Sequence, residues 1–273
     1  MKKYWLVLLV CGLILTGCGN GTLNGKSANP SANEEPGNGT LTEETANTEP
    51  TGKIEAAESK PPETQENRDE KQEITLENAN VGDYVTFGRY EQDNDMANGK
   101  EAVEWLVLDK QGDRLLLISR YGLDRKMFHE THASVTWESC TLRAWLNDTF
   151  LKTAFSDEEQ GQILQTTVSA DPNPKYDTNP GNETTDMVFL LSIPEAEKYF
   201  SSDPARQCKA TAYAQAQGVS IRDDACWWWL RSPGDSQAYA AHILIGGMVL
   251  CEGCYICATG EAVRPTIWIT TKS

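Results

Sequence analysis

The chain has 273 residues, in which 40 acidic side chains outnumber 24 basic ones and give a formal net charge of −16. This charge argues against nucleic acid as the main partner, because binding to the phosphate backbone requires a basic surface. It also argues against attachment to a membrane through a polybasic patch. The length permits one or two domains, and the uneven spread of apolar residues separates three segments.

The first segment, residues 1–17, is typical of an export signal. Two lysines precede an apolar run from Tyr4 to Leu15. This run is too short to span a bilayer, because a spanning helix takes about 20 apolar residues. It leads into Leu15-Thr16-Gly17-Cys18, which resembles the lipobox of bacterial lipoproteins. In that family a signal peptidase cuts before the cysteine, and the cysteine thiol carries a diacylglycerol.

The resemblance implies that Cys18 is the lipidated N-terminus of the mature chain. Together with an N-terminal acyl chain such as palmitate, this lipid supplies the two or more chains that stable anchoring requires. We therefore expect the mature chain on the extracytoplasmic face of a bacterial cell membrane. The alternative is an ordinary signal peptide with an incidental cysteine.

The second segment, residues 18–72, is predicted to be a disordered tether behind the lipidated cysteine. Residues 19–72 contain eleven acidic and five basic residues, no aromatic residue and three large aliphatic side chains. Such a composition cannot bury enough apolar surface to offset the entropy lost on ordering. As a coil the segment spans about 40 Å, which lifts the folded part off the membrane towards the cell wall. A charged linear binding motif is the alternative role.

The third segment, residues 73–273, is long enough for one sizeable core. Its first third is predicted to form strands. Tyr84 to Tyr90 alternates between apolar and polar side chains, as a half-buried strand does. Val103–Leu108 and Arg114–Ser119 flank a turn that contains Gly112, which predicts a hairpin.

The middle third is predicted to be helical. Four large apolar side chains fall on one helix face: Leu142, Trp145, Leu146 and Phe150. A serine followed three residues later by a glutamate, the capping-box pattern, predicts further helix starts at Ser156 and Ser192. Met187–Leu191 is predicted to be a buried strand between them. Another helix is predicted over Ala210–Gln217, ended by Gly218.

The last third is predicted to return to strands, with a Gly-Gly turn between the second and third. The predicted strands are Trp227–Leu230, Ala240–Ile245, Met248–Leu250 and Ala262–Thr270. The order of strands, helices and strands predicts one α+β domain, without a glycine-rich phosphate loop. It also argues against a solute receptor, which would need two α/β lobes.

Seven stretches of the domain carry a family resemblance: Tyr84–Gly88, Glu104–Asp109, Leu116–Asp124, Trp137–Asn147, Phe189–Ser192, Trp229–Gly234 and Val263–Pro265. They resemble domain-of-unknown-function family 6273, which is common in surface proteins of Gram-positive gut bacteria and has no established activity. The Trp-Leu-Arg-Ser and Val-Arg-Pro signatures are also similar to those of C-type-lectin-like and formylglycine-generating-enzyme-like folds. This second resemblance implies a C-type-lectin-like domain, whose closing strand returns beside the first and whose long loops carry any site.

Six cysteines lie in the domain: Cys140, Cys208, Cys226, Cys251, Cys254 and Cys257. An even number in an exported chain predicts up to three disulfides, with the pairing left open. The spacing from Cys251 to Cys257 is unusual, because three thiolates at this spacing could ligate a metal if a fourth group joined them. Reduced thiols and metal or redox chemistry are therefore the alternatives to disulfides.

Two polar stretches resemble metal sites only superficially. In His129-Glu130-Thr131-His132 the histidines are three residues apart, whereas the zincin helix spaces them four apart. The loop from residue 171 to 186 offers four oxygen ligands: Asp171, Asp177, Asn179 and Asp186. An EF-hand register from its start would place Lys175 and Tyr176 where a ligand and a glycine belong. Polar loops are favoured for both stretches and no cofactor is predicted, with calcium in the second loop as the alternative.

Trp227-Trp228-Trp229 is a candidate ligand surface. Alternate residues of a strand face opposite sides, so Trp227 and Trp229 share one face and Trp228 takes the other. One face could stack on a sugar ring, whereas a central strand covered on both faces is the competing interpretation. Arg231 and Arg264 are candidate ligand-binding residues too, although pairing with buried carboxylates or carbonyls is favoured for them.

These features predict a lipid-anchored surface protein that presents a non-catalytic binding domain. The expected partners are the membrane, through the lipid, and a cell-wall or extracellular glycan or protein. One alternative is an extracellular enzyme that uses Cys251, Cys254 or Cys257, or a metal. The other is a structural surface protein without a small ligand.

Overall fold

A computed structural model describes residues 73–272. These residues lie in the second of the two units into which the chain divides, Asn67–Ser273. The predicted signal, the lipid site at Cys18 and the tether lie outside the described residues. The described part is mixed α+β, mostly strands in sheets with a few short helices, which confirms the predicted class. Within it, no helix is both long and apolar enough to cross a membrane.

The described strands are β1 (Tyr84–Tyr90), β2 (Glu101–Gln111), β3 (Arg114–Ser119), β4 (Asp124–Arg125), β5 (Thr166–Val168), β6 (Thr184–Asp186), β7 (Val188–Phe189), β8 (Ile221–Arg222), β9 (Ala225–Cys226), β10 (Trp228–Pro233), β11 (Tyr239–Ile243), β12 (Val249–Tyr255), β13 (Ala262–Val263) and β14 (Thr266–Thr270). The described α-helices are α1 (Thr141–Trp145), α2 (Leu151–Ala154), α3 (Asp157–Gln162), α4 (Ile193–Tyr199), α5 (Asp203–Arg206) and α6 (Ala212–Ala216).

The helices begin where the capping patterns predict them. Ser156 precedes α3 and Ser192 precedes α4, and each serine forms a reciprocal capping box with the glutamate three residues later. The predicted apolar helix face is divided between α1 and a π-helical turn over Leu146–Phe150, and α2 follows this turn directly. Gly218 follows α6 with a φ of +107°, the left-handed conformation that ends a helix.

The first sheet has the strand order β1-β2-β3-β14-β7, with antiparallel neighbours throughout. The hairpin of β2 and β3 is confirmed, and Gly112 takes a φ of +65° in its turn. On β2 the Trp105 side chain packs inward, since it is fully enclosed and its indole stacks near Phe155 at 6.1 Å between ring centroids. This sheet and the helical segment over residues 141–162 form one side of the core.

The resemblance implied that the closing strand returns beside the first strand, and this expectation is wrong. The closing strand β14 pairs with β3 and β7, while β1 lies at the far edge of the same sheet. The other edge of β1 is covered by the helical segment, because the backbone N–H of Gly88 donates to Glu159 Oε1 at 3.0 Å. A Cβ on Gly88 would lie 2.6 Å from the Phe155 ring, so the helical segment packs directly on this strand.

The second sheet has the strand order β12-β11-β10-β13-β4, antiparallel except between β10 and β13. The prediction of one strand over Ala262–Thr270 is therefore wrong, since its first part is β13 in this sheet and its last part is β14 in the other. Pro265 lacks a backbone N–H and cannot donate to a ladder, so the pairing ends there. Arg264 is 3% exposed at this junction, and its Nε donates to the Ser119 carbonyl at 2.9 Å.

Candidate functional site

Trp228 and Trp229 begin the central strand β10 of the second sheet, and Trp227 directly precedes it. Trp228 and Trp229 are both 0% exposed, and Trp227 is half-buried. Both enclosed indoles donate hydrogen bonds to backbone carbonyls, Trp228 to Arg206 at 3.1 Å and Trp229 to Lys126 at 2.9 Å. Because β10 is paired on both edges and packed on both faces, the structure favours the covered central strand over a ligand surface at these residues.

Arg231 lies on the same strand and is enclosed in an ion network. Its guanidinium contacts both carboxylate oxygens of Glu195, donates to Asp171 Oδ2 at 3.0 Å and donates to the Leu190 carbonyl at 2.8 Å. Arg264 lies over the Trp228 ring, with 4.9 Å between its guanidinium carbon and the ring centroid. Both arginines therefore connect core elements to each other rather than face solvent.

The loop over residues 171–186 does not gather its four predicted oxygen ligands. Asp171 binds Arg231, and Asp186 accepts from Arg143 Nε at 2.7 Å in a separate ion pair. Asp177 is exposed, and the side chain of Asn179 accepts the N–H of Gly181 at 3.0 Å. The four side chains thus serve different local contacts, which offers no concentrated set of oxygens for calcium.

The two histidines of the zincin-like stretch have different surroundings. His129 accepts the backbone N–H of Thr141 through Nδ1 at 3.2 Å. His132 is exposed, with its ring 5.8 Å from the ring of Tyr255. One ring therefore caps a helix start and the other lies on the surface, so they do not form a shared ligand pair.

The cysteines are mostly enclosed. Burial raises the pKa of Cys140 to about 12 and also raises the pKa of Cys251. A hydrogen bond to Cys208 and burial raise the pKa of Cys226, whose Sγ also lies 3.3 Å from the Cys208 carbonyl oxygen. Thiols held protonated in this way are poor nucleophiles, which counts against Cys140, Cys226 and Cys251 as catalytic groups.

A partly exposed aromatic surface lies at the outer edge of the second sheet, and we name it the tyrosine face. Its members are the exposed His132 and Tyr255 and the half-buried Tyr176, Tyr239 and Glu252. Strands β11 and β12 place Tyr239 opposite Tyr255, with their ring centroids 4.3 Å apart. The Tyr255 ring is 45% exposed. A hydrogen bond to Tyr255 raises the pKa of Tyr239 to about 12, so the Tyr239 phenol stays a protonated donor at neutral pH.

Tyr176 joins this face from the long loop. Its hydroxyl donates to Glu252 Oε1 at 2.9 Å, which fixes the loop to strand β12. Asn173, 5% exposed, donates to the Pro233 carbonyl at 2.8 Å and to the Cys251 carbonyl at 2.7 Å. A groove of about 580 Å³ is lined by residues 172–180 of the same loop. The Tyr176–Glu252 hydrogen bond thus connects the groove-lining loop to β12, the strand that also carries Tyr255.

Comparison with known proteins gives the family. A family model described as domain of unknown function (DUF6273) matches residues 112–271. The chain belongs to this family. No curated protein and no solved structure matches the chain. The matched DUF6273 residues include all of the tyrosine face and both enclosed tryptophans.

Two groups of described side chains could hold a metal ion. One combines His242, Cys254 and Glu261 within the DUF6273 match, and the other combines Glu91, Asp93 and Glu101 outside it. Two members of the second group already accept hydrogen bonds, because Glu101 Oε2 accepts two backbone N–H groups and Asp93 accepts from the Asn98 amide at 2.7 Å. Of the three closely spaced cysteines, only Cys254 belongs to either group.

The sequence patterns did not point to the tyrosine face. They marked Cys254 as a possible metal ligand, but not His242 or Glu261 as its partners. Tyr239 and Tyr255 become neighbours only through the register of β11 against β12. Tyr176 joins them through its hydrogen bond to Glu252, which lies 76 residues further along the chain. Strand alternation could have shown that Tyr239 lies on a strand, but not which residue lies opposite it.

Proposed function

We propose that the chain is a lipid-anchored surface protein that presents a ligand-binding domain on a disordered tether. The lipobox-like stretch ending in Cys18 and the acidic, aromatic-free segment behind it support the anchor and the tether. A C-type-lectin-like fold is part of this proposal. It is supported by a first sheet that contains the first and last strands of the domain and by a second sheet carrying the long loop.

The tyrosine face is the observation that carries the ligand-binding part. Tyr255 is 45% exposed, and its ring already packs against the Tyr239 ring, so it loses little conformational freedom when a ligand binds. This suits the ring to contact the flat apolar face of a sugar. Glu252 and the tyrosine hydroxyls provide acceptors and donors for sugar hydroxyl groups. The proposed ligand is therefore a neutral or amino-sugar glycan of the cell wall.

A single tyrosine substitution tests the ligand-binding part. We expect the mature chain to be retained by insoluble peptidoglycan, and Tyr255→Ala to weaken this retention about tenfold, or about 1.4 kcal/mol, through loss of the stacking ring. Tyr84→Ala is the matched control, because Tyr84 is also 45% exposed but lies in the first sheet. Co-sedimentation at increasing peptidoglycan concentration measures both.

Three outcomes of this experiment are informative. Equal weakening by Tyr255→Ala and Tyr84→Ala would remove the tyrosine face from the proposal. Retention that neither variant alters would move the ligand site elsewhere on the domain. No retention by peptidoglycan or by a glycan array would favour a structural surface protein.

The anchor has its own test. Cells that express the full chain are expected to incorporate radiolabelled palmitate into it, and Cys18→Ala is expected to abolish the label because the acceptor thiol is lost. Cys11→Ala is the control, since Cys11 lies in the predicted signal and not at the cleavage position. Label that persists in Cys18→Ala contradicts the anchor.

A further inference from the structure

His242 has an unusual environment for a buried imidazole. It lies in strand β11, is 4% exposed, and has no hydrogen-bond partner for Nδ1 or Nε2 within residues 73–272. Leaving a buried polar atom unsatisfied costs about 1–3 kcal/mol, and buried polar groups in proteins nearly always have a partner. Two unsatisfied nitrogens on one enclosed ring therefore indicate a partner that protein atoms do not supply.

Two potential metal ligands face this ring. Glu261 is 6% exposed, and its Oε1 lies 3.6 Å from His242 Nδ1. The Sγ of Cys254 completes a group whose ligand atoms all lie within 4.8 Å of one another. Imidazole nitrogen, thiolate sulfur and carboxylate oxygen are the three donor types that zinc uses in proteins, whereas calcium needs six to eight oxygens.

The distance of 3.6 Å between His242 Nδ1 and Glu261 Oε1 fits a shared metal ion better than a direct hydrogen bond. It is too long for a hydrogen bond between nitrogen and oxygen, which falls at about 2.7–3.2 Å. Ligand atoms that share one tetrahedral zinc lie about 3.3–3.8 Å apart, given metal–ligand distances of about 2.0–2.3 Å. The His242–Glu261 spacing thus matches two ligands of one ion.

The backbone around the cluster holds these side chains in place. Strand β12 has a bulge between the pairs Ala240–Cys254 and His242–Leu250, where Gly253 takes a φ of +81°. A Cβ on Gly253 would lie 2.5 Å from the Ala240 carbonyl oxygen, so the strand needs glycine there to bring Cys254 into this register. The backbone N–H of Gly260 donates to Glu261 Oε2 at 3.1 Å, which orients this carboxylate as outer contacts orient metal ligands.

We propose that His242, Cys254 and Glu261 bind one zinc ion. Three protein ligands leave one tetrahedral position for water or a ligand, as in zinc sites that are not purely structural. The site uses none of the tyrosine-face residues. His242 and Glu261 are buried, and Cys254, directly before Tyr255, is half-buried.

Metal binding by the mature full-length chain tests this inference. Cobalt(II) serves as a spectroscopic probe, because a thiolate ligand gives it a sulfur-to-metal charge-transfer band that oxygen and nitrogen ligands do not give. We expect one equivalent of cobalt with this band, its displacement by one equivalent of zinc, and a zinc-dependent rise in melting temperature. Cys254→Ser is expected to abolish the band and to weaken zinc binding at least about 100-fold, more than the loss of an outer contact costs.

Cys251→Ser and Cys257→Ser are matched controls on the same stretch of chain and are expected to keep the band. Glu261→Gln replaces the ligand carboxylate with an amide of nearly the same shape. This variant provides the test if Cys254→Ser does not fold. It is expected to keep the band and to weaken zinc binding. No binding of zinc or cobalt by the wild-type chain overturns the proposal. So does a band that persists in Cys254→Ser or disappears in Cys257→Ser.

Discussion

Trp229→Ala is expected to lower the free energy of unfolding by about 3–5 kcal/mol, the usual cost of deleting a fully buried aromatic ring. The Trp229 ring is 0% exposed, packs 5.8 Å from Phe128 between ring centroids, and donates a hydrogen bond to Lys126. Its removal leaves both a cavity and an unsatisfied carbonyl. Urea denaturation of the mature chain, followed by tryptophan fluorescence, measures the change.

The exposed Tyr84 provides the comparison for this prediction. Tyr84→Ala is expected to change the same free energy by less than about 1 kcal/mol, because it removes mainly a surface contact with Arg120. Trp229→Ala could instead keep wild-type stability and lose retention by peptidoglycan. That result would support the tryptophans as a ligand surface and contradict the covered central strand.

Arg231→Met is the second large effect that we expect, also about 3–5 kcal/mol of lost stability. Methionine fills much of the same volume but leaves Glu195 and Asp171 facing each other without their shared cation. The loss arises mainly from these partly enclosed carboxylates, each less than a third exposed. Thermal and urea denaturation at neutral pH measure it.

A surface ion pair is the control for Arg231→Met. Lys152 and Asp148 form an ion pair on the helical segment, with side chains 69% and 63% exposed. Lys152→Met is expected to cost less than about 0.5 kcal/mol, because exposed pairs of this kind are screened by solvent. Similar costs for Arg231→Met and Lys152→Met would contradict a structural role for the Arg231 network.

Much of the local structure could be predicted from the sequence, because its signals are local. The turn at Gly112 and the capping serines Ser156 and Ser192 depend on residues within a few positions of each other. The break at Pro265 was missed, although proline cannot donate to a ladder. The apolar pattern continues across this residue while the chain passes from one sheet to the other.

The candidate sites could not be predicted because they depend on strand register and on the order of strands in the sheet. Three consecutive tryptophans are compatible with an open face and with a covered central strand. Only the enclosure of Trp228 and Trp229, on opposite faces of β10, decides between them. Two features of the fold bring together His242, Cys254 and Glu261. Strand β12 has a bulge where it pairs with β11, and the chain then continues into β13 of the same sheet. The cysteine spacing marks Cys254 alone, and no spacing along the chain connects it to His242 and Glu261.

Amide hydrogen–deuterium exchange with soluble peptidoglycan fragments tests the location of the ligand site most directly. The mature chain is expected to show slower exchange in residues 172–180 and 250–257 when the fragments are added, because these residues form or border the tyrosine face. The protection should be lost in Tyr255→Ala and kept in Tyr84→Ala. Protection that appears only outside these two stretches, or no protection at saturating fragment concentration, would contradict the tyrosine face as the ligand site.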